Sequence, residues 1–329
     1  MQLFPFLSFL LACWSAHLSP HQSSVVETVD GPLQVGEMGK TLIHEHLLVD
    51  FIGAKEYHPD RWNRSEVIHR VLPFLKEVKA LGIHTMVECT PAFLGRDPVL
   101  LRELSAASGV QLITNTGLYG AVDNKYLPAY AFTESADELA ARWITEWKEG
   151  IDGTGIKPGF IKIGVNPGPL SAIHEKLVRA AVKTHEASGL LIVSHTGPAT
   201  PAFEQLAILS EAGIPAKAFV WVHAQVEKDK SMHVAAAERG AWVSFDGVAP
   251  GNLKEYLALV QNMKKHDVLE RTLLSHDAGW YRPGEENGGD FRGFTTLSEQ
   301  FIPLLLANGF TESECELLLV KNPATAFGR

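Results

Sequence analysis

Two histidines two positions apart, His44 and His46, interrupt the apolar, β-branched run TLIHEHLLVD (residues 41–50). On a strand, side chains alternate faces, so His44 and His46 point one way and Glu45 the other. Neutral imidazole is the commonest metal ligand, and such a pair makes half of a metal site. Further residues with donor atoms end other apolar runs: Lys162 in FIKIG, His195 in IVSHTG, His223 in FVWVHA and Asp277 in SHDAG. Taken singly each is weak, because a lone histidine is commonly a packed or solvated residue and a lone strand lysine commonly snorkels to solvent.

The elements around these residues repeat. Eight short β-branched runs fall at 41–49, 85–90, 111–117, 160–165, 190–196, 219–224, 241–246 and 272–279. Helical apolar spacing fills the gaps, at 65–81, 97–108, 135–150, 171–188, 201–212, 229–239 and 252–266, with a last helix at 312–319. Strands alternating with helices of this length predict parallel βαβ units, and eight of them predict a closed α/β (β/α)8 TIM barrel. A doubly wound open sheet is the alternative, but no Gly-x-Gly-x-x-Gly turn follows the first strand. A short N-terminal β-hairpin is expected ahead of the barrel, with strands at 25–29 and 33–35 and a turn at Asp30–Pro32. Function in such barrels gathers at the C-terminal ends of the strands. His44 and His46 on strand one, Lys162 on four, His195 on five, His223 on six and Asp277 on eight all fall there. The Gly-rich, charged segment from Gly279 to Gly293 after strand eight reads as a lid or substrate loop.

The chain has 329 residues, 46% hydrophobic and 20% charged, which is an ordinary globular composition. A net charge of -9 argues against nucleic-acid binding, since no basic surface is available to neutralise phosphates. Three cysteines, Cys13, Cys89 and Cys315, are too few for a disulfide framework. Residues 1–20 read as a leader ahead of a barrel at 25–329. Met1–Ala16 is apolar without an acidic residue, as in a secretory signal with cleavage near Ala16. Leu10-Leu11-Ala12-Cys13 also resembles a bacterial lipobox, in which a lipid on Cys13 would tether the protein to a membrane. Either way the expectation is export, to the periplasm or cell envelope.

Together, H-x-H, Lys, His, His and Asp on strands one, four, five, six and eight resemble the phosphotriesterase-like family of the amidohydrolase superfamily. The resemblance extends to GxTLxHEH at Gly39–His46, the Gly95-Arg96-Asp97 turn after strand two and the terminal Asn322-Pro323. It implies two divalent metal ions, Zn first with Mn, Co or Fe as alternatives. His44, His46 and Asp277 would hold the more buried ion, and His195 and His223 the more exposed one. Lys162 would bridge them as a carbamate formed with CO2, turning a cation that is costly beside two dications into an anionic donor. A hydroxide shared by two ions about 3.5–4 Å apart would attack an ester carbonyl or phosphorus. Asp277 would take its proton. A homodimer is compatible with the family.

Tyr119 matches a position that orients the carbonyl or leaving group in lactonase-type relatives, with rim packing as its plain alternative. Asp246 could support a ligand, contact substrate or simply form an Asp-Gly turn. His276 should face away from the site, His84, His185 and His266 should be structural or solvated, and Cys89 a small buried hydrophobe. The segments His223–Glu227, Phe245–Gly247 and Trp280–Arg282 depart from better-known members and leave the substrate open. The leading expectation is hydrolysis of a lactone or other carboxylic ester, with phosphotriesters as secondary substrates. An amide hydrolase of an N-acyl compound is the alternative, and a non-catalytic metal-binding barrel the third reading. Arg282, if near the pocket, would favour an anionic small molecule.

Overall fold

The computed structural model describes residues 24–329, so the expected leader, with Cys13 and Ala16, lies outside the described residues. An antiparallel hairpin of β1 (Val25–Thr28) and β2 (Gly31–Gln34) comes first. Its turn begins one residue earlier and ends two earlier than the sequence suggested. Thr28 Oγ1 accepts from Asp30 N and donates to Gly31 O, which closes the turn at Val29-Asp30 and puts Pro32 inside β2. An edge strand tolerates that proline because no ladder bond needs its missing N–H.

The barrel strands are β3 (Lys40–Leu48), β4 (Ile83–Glu88), β5 (Gln111–Ile113), β6 (Asn115–Thr116), β7 (Phe160–Gly164), β8 (Leu191–His195), β9 (Phe219–Val222), β10 (Trp242–Phe245), β11 (Thr272–Leu274) and β12 (Gly279–Tyr281). Parallel pairing runs β12-β3-β4-β5 and β6-β7-β8-β9-β10-β11. The expected third and eighth strands are each broken, into β5 with β6 and β11 with β12, and the halves of each lie in different ladders. Eight staves therefore close the barrel, as the repeat predicted. Closure at the eighth uses Asp277 N to His44 O at 3.0 Å and His46 N to Ala278 O at 2.9 Å.

The helices after the first seven staves lie where the apolar spacing placed them, at Arg64–Ala80, Pro98–Ser108, Ala136–Glu149, Ala172–Ser188, Ala199–Glu211, Lys230–Glu238 and Leu253–Lys265. Short polar residues start many of them: Asn63, Asp97, Ser135, Ser171 and Asp229 each accept a first-turn backbone N–H. On the first helix Val67, Val71, Leu75 and Val78 recur at helical spacing and are buried against the barrel wall. Each such side chain contributes about 1.5–3 kcal/mol by leaving water.

The barrel interior is filled from below. Val26 of the hairpin, Met38, Phe160 and Phe327 of the C-terminal helix Asn322–Phe327 join one cluster with Ile43, Val87, Val193 and Val222. Phe160 meets Phe327 edge to face at 5.8 Å. That apolar plug leaves the opposite end of the barrel for the polar residues.

Candidate metal centre

The first stave carries a β-bulge. Leu42 pairs with Met86 and Glu45 with Glu88, so three steps on β3 match two on β4. The extra residue lets Ile43 join the apolar interior while His44 and His46 still reach the pocket above it. The two rings stand 5.3 Å apart.

All the residues expected at the site converge there. His44, His46, Tyr119, Lys162, His195, His223 and Asp277 line one cavity of about 110 Å³. Asp277 Oδ1 lies 3.1 Å from His46 Nε2 and 3.8 Å from His44 Nε2, and the ligand atoms of these three residues fall within 4.8 Å of one another. Lys162 Nζ is 3.2 Å from His44 Nε2, and the His195 and His223 rings are 4.4 Å apart. Tyr119 OH is 3.0 Å from His195 Nδ1.

Outer partners aim the imidazoles. Asp246, fully buried, accepts from His223 Nδ1 at 2.6 Å through Oδ1 and from His44 Nδ1 at 3.2 Å through Oδ2. His46 Nδ1 meets Thr90 Oγ1 at 2.8 Å. With Nδ1 held, each ring turns Nε2 into the cavity as a donor. Asp246 thus orients two of the candidate ligands from a fully buried position, the supporting role among those expected of it. Burial alone would raise its carboxyl, but His223 and His44 hold it well below the usual range. Burial, reinforced by Lys162, lowers His44 to about 4, and burial with His223 lowers His195 well below an ordinary histidine. Both rings are therefore neutral at pH 7, the form that ligates metal.

Two buried carboxylates that the sequence reading did not single out brace the strand ends. Between β11 and β12 the ladder is interrupted, and Glu45 takes its place. It accepts from Ser275 Oγ at 2.7 Å, His276 N at 3.1 Å, His276 Nδ1 at 2.6 Å and Ala278 N at 2.9 Å. Asp277, with φ of 51°, is held in the left-handed region by these neighbours. His276 faces Glu45 and accepts from Leu297 N through Nε2, away from the cavity as expected. Glu88 accepts from Leu47 N and from both Thr90 N and Oγ1, fixing the residue that aims His46. The signal for both was an acidic residue inside an apolar strand, where burial demands a full set of donors.

Other expectations change. Arg282 pairs with Glu285 at 2.9 Å and does not line the cavity, so it gives no anion preference there. The basic residue beside the site is Arg292, which lies over the Trp280 ring at 4.8 Å and donates to the Asp277 carbonyl. Of the expected lid only Trp280 lines the cavity, while Glu285, Glu286, Asn287 and Gly289 border a separate surface groove with Arg70 and Phe74. Tyr119 packs over Gly164, where a Cβ would come within 2.7 Å of its ring. His185 is spent on Leu190 O, His84 and His266 are exposed, and Cys89 is buried beneath the site.

A family model for the phosphotriesterase family matches residues 24–327. The chain belongs to the phosphotriesterase family. That family lies in the amidohydrolase superfamily, is made of hydrolases and uses a binuclear metal centre. A phosphotriesterase homology protein from Escherichia coli is 28% identical over 293 residues, covering 88% of this chain and 98% of its own length. An N-acetyltaurine hydrolase from Rattus norvegicus is 26% identical over 345 residues, covering 92% and 97%. Among solved structures, the organophosphorus hydrolase from Deinococcus radiodurans superposes with a TM-score of 0.82 at 26% identity, covering 95% of this chain and all of that one. The phosphotriesterase fold thus extends over the whole described barrel.

The residues present fit a pair of cations. Four imidazoles and one carboxylate supply N and O donors suited to Zn, Mn, Co or Fe. Lys162 has 1% exposure and no carboxylate within 4.0 Å among the described residues, although burial of an unpaired ammonium is costly.

Proposed function

We propose that this phosphotriesterase-family hydrolase opens a lactone or another carboxylic ester at a two-metal centre. The observation that carries this reading is the convergence of His44, His46, Lys162, His195, His223 and Asp277 on one cavity, with His44, His46 and His223 aimed by outer partners. His44, His46 and Asp277 would hold one ion and His195 and His223 the other. Lys162 would serve both after its neutral amine adds to CO2 and loses a proton, which leaves an anionic carbamate. When bound, such a pair lowers the pKa of water and polarises the oxygen of the bond under attack.

The protein's own groups then have distinct tasks. Asp277 is held ionised by its hydrogen bond to His46 and the surrounding histidines, against the pull of burial. Its carboxylate is placed to accept the proton released as water attacks and to deliver it to the leaving oxygen. Burial pushes the Tyr119 phenol far above its ordinary pKa, so it remains a neutral donor that can hold the ester oxygen. Val49, Phe51, Leu94 and Trp280 wall the cavity and keep bulk water from the reacting bond.

Phosphotriester hydrolysis is the expected secondary activity, because the same nucleophile can attack either centre. The decisive experiment is a panel of lactones, aryl esters, N-acyl amines and phosphotriesters, run on metal-loaded and chelated protein. Chelator-sensitive lactone or ester turnover supports the proposal. Turnover of N-acyl amines with none of lactones or esters would replace it by the amidase reading. The apolar run at 1–16 further supports export to the cell envelope, which fractionation of the expressing cell would test.

A further inference from the structure

The metal cavity is too small to contain a whole substrate, so the non-reacting part must leave it. A second, larger space of about 760 Å³ adjoins it and shares His195 and His223 with it. That volume lies in the range of small-molecule sites, whereas about 110 Å³ does not. The groove runs between the loops after β6, β7, β8 and β9.

We infer that this groove receives the non-reacting chain of the substrate, and that the chain is apolar and uncharged, anionic chains being rejected. The inference rests on the hydrolase reading for the word substrate, but its evidence is separate. Val122 and Val226 line the groove and are 55% and 49% exposed, two of the few large hydrophobic side chains left open to solvent. Pro167, Pro169 and Pro198 add further apolar surface without a donor. Burying such surface under an alkyl or aryl chain is favourable, at about 25 cal/mol per Å².

The loop that carries Val122 is held in a costly shape. Val122, Asp123 and Asn124 have φ of 57°, 52° and 63°, and a β-branched residue rarely adopts that region. Two clamps maintain it. Asp123 N donates to Asn166 Oδ1 at 3.2 Å while Asn166 Nδ2 donates to Asp123 Oδ1 at 3.0 Å. His174 Nε2, on the far side, lies 3.0 Å from Gly120 O and 3.1 Å from Asn124 Oδ1. Strain kept in place by two partners fixes where the Val122 side chain stands.

Charge decides against an anion. Among the described residues no lysine or arginine lines the groove, and Asp123 is the one acidic side chain that does. The starts of helices Ala172–Ser188 and Ala199–Glu211 border it, and such ends ordinarily attract anions. Here carboxylates already occupy their surroundings: Glu227 Oε2 accepts from Ala199 N at 3.0 Å and Glu204 Oε2 from Leu170 N at 2.6 Å. Ser171 Oγ takes the N–H of His174. Backbone hydrogen bonds from Asp229 and Ala199 keep Glu227 below the usual carboxylate range, so it is ionised at neutral pH. An anionic chain lying along the groove away from the centre would therefore meet like charge, with no lysine or arginine side chain of the lining to compensate it.

The test is calorimetric titration of the metal-loaded full chain with hexanamide and with adipamate, its counterpart ending in a carboxylate. Hexanamide should bind at least about tenfold more tightly, a factor that titration resolves easily. Val226→Lys, a change at an exposed site that supplies the missing cation, should abolish that advantage, and Asp123→Asn should narrow it. Equal affinity for the two ligands, tighter binding of adipamate, no binding of hexanamide, or an unchanged ratio in Val226→Lys would overturn the inference. Phenyl acetate hydrolysis by the same preparation tests the hydrolase reading separately. Turnover without ligand discrimination defeats the groove alone, and discrimination without turnover of any ester defeats the reading alone.

Discussion

His44 and His223 are held by the two oxygens of one carboxylate, that of Asp246, at 3.2 and 2.6 Å. The two histidines are assigned to different ions, so a single fully buried residue sets the geometry of both halves of the proposed centre. Asp246→Asn keeps the shape but removes the charge and one acceptor oxygen. Metal affinity should fall about 10- to 100-fold, the usual cost of losing an outer partner. Competition against a chromogenic chelator measures this directly, and an unchanged affinity would detach Asp246 from the ligand set.

Lys162 lies 3.2 Å from His44 Nε2 and has no acidic partner within 4.0 Å among the described residues. Lys162→Ala should lose most bound metal and activity, with partial recovery on adding a short carboxylate such as acetate. A variant that retained full metal content and rate would show that the lysine does not bridge.

Tyr119 touches His195 at 3.0 Å yet is assigned to substrate rather than to metal. Tyr119→Phe should leave metal content unchanged and lower kcat on the order of 100-fold, as for loss of one donor to a developing oxyanion. A fall in metal content with an unchanged rate per bound metal would instead make it a support for His195.

Away from the centre, Arg96 binds Glu146 with two bonds of 2.7 and 2.8 Å and also donates to Asn115 O at 2.9 Å. This ties the third stave to the helix Ala136–Glu149. Burial alone would raise the Glu146 carboxyl, but Arg96 and the Thr116 hydroxyl hold it below its ordinary 4.5. A carboxyl depressed in the folded state contributes stability above its unfolded pKa and loses it as pH falls through the folded value. Wild type should therefore lose this contribution progressively below about pH 4.5. Glu146→Ala strands a buried guanidinium and should cost about 3 kcal/mol at pH 7. Urea unfolding of both proteins at pH 7 and pH 3.5 reads this out, the gap being expected to shrink at the lower pH. A constant gap would contradict it.

The barrel was legible because each stave is a short β-branched run and each helix repeats its apolar positions, patterns that survive in any local window. The donors were legible because His, Lys and Asp at strand ends stand out against apolar neighbours. What stayed hidden depends on pairing between distant segments. The bulge between Leu42 and Glu45 exists only in register with Met86–Glu88, and no local feature marks it. The break that places Asp277 in a left-handed turn is stabilised by Glu45, more than 230 residues earlier. Asp246 reads locally as an Asp-Gly turn, and only the closed barrel brings His44 and His223 to its two oxygens. Arg282 was misjudged for a local reason: its turn partner Glu285, three residues on, takes its guanidinium, and the loop does not bring it to the cavity.

The most direct measurement is metal stoichiometry by elemental analysis of the purified chain, with lactone or aryl ester turnover before and after chelation. The expected result is about two divalent ions per chain, as in two-metal hydrolases, with turnover lost on chelation and restored by Zn or Mn. No bound metal after supplementation, or turnover indifferent to its removal, would contradict the two-metal centre and leave His44 and His46 as ordinary residues of a barrel strand.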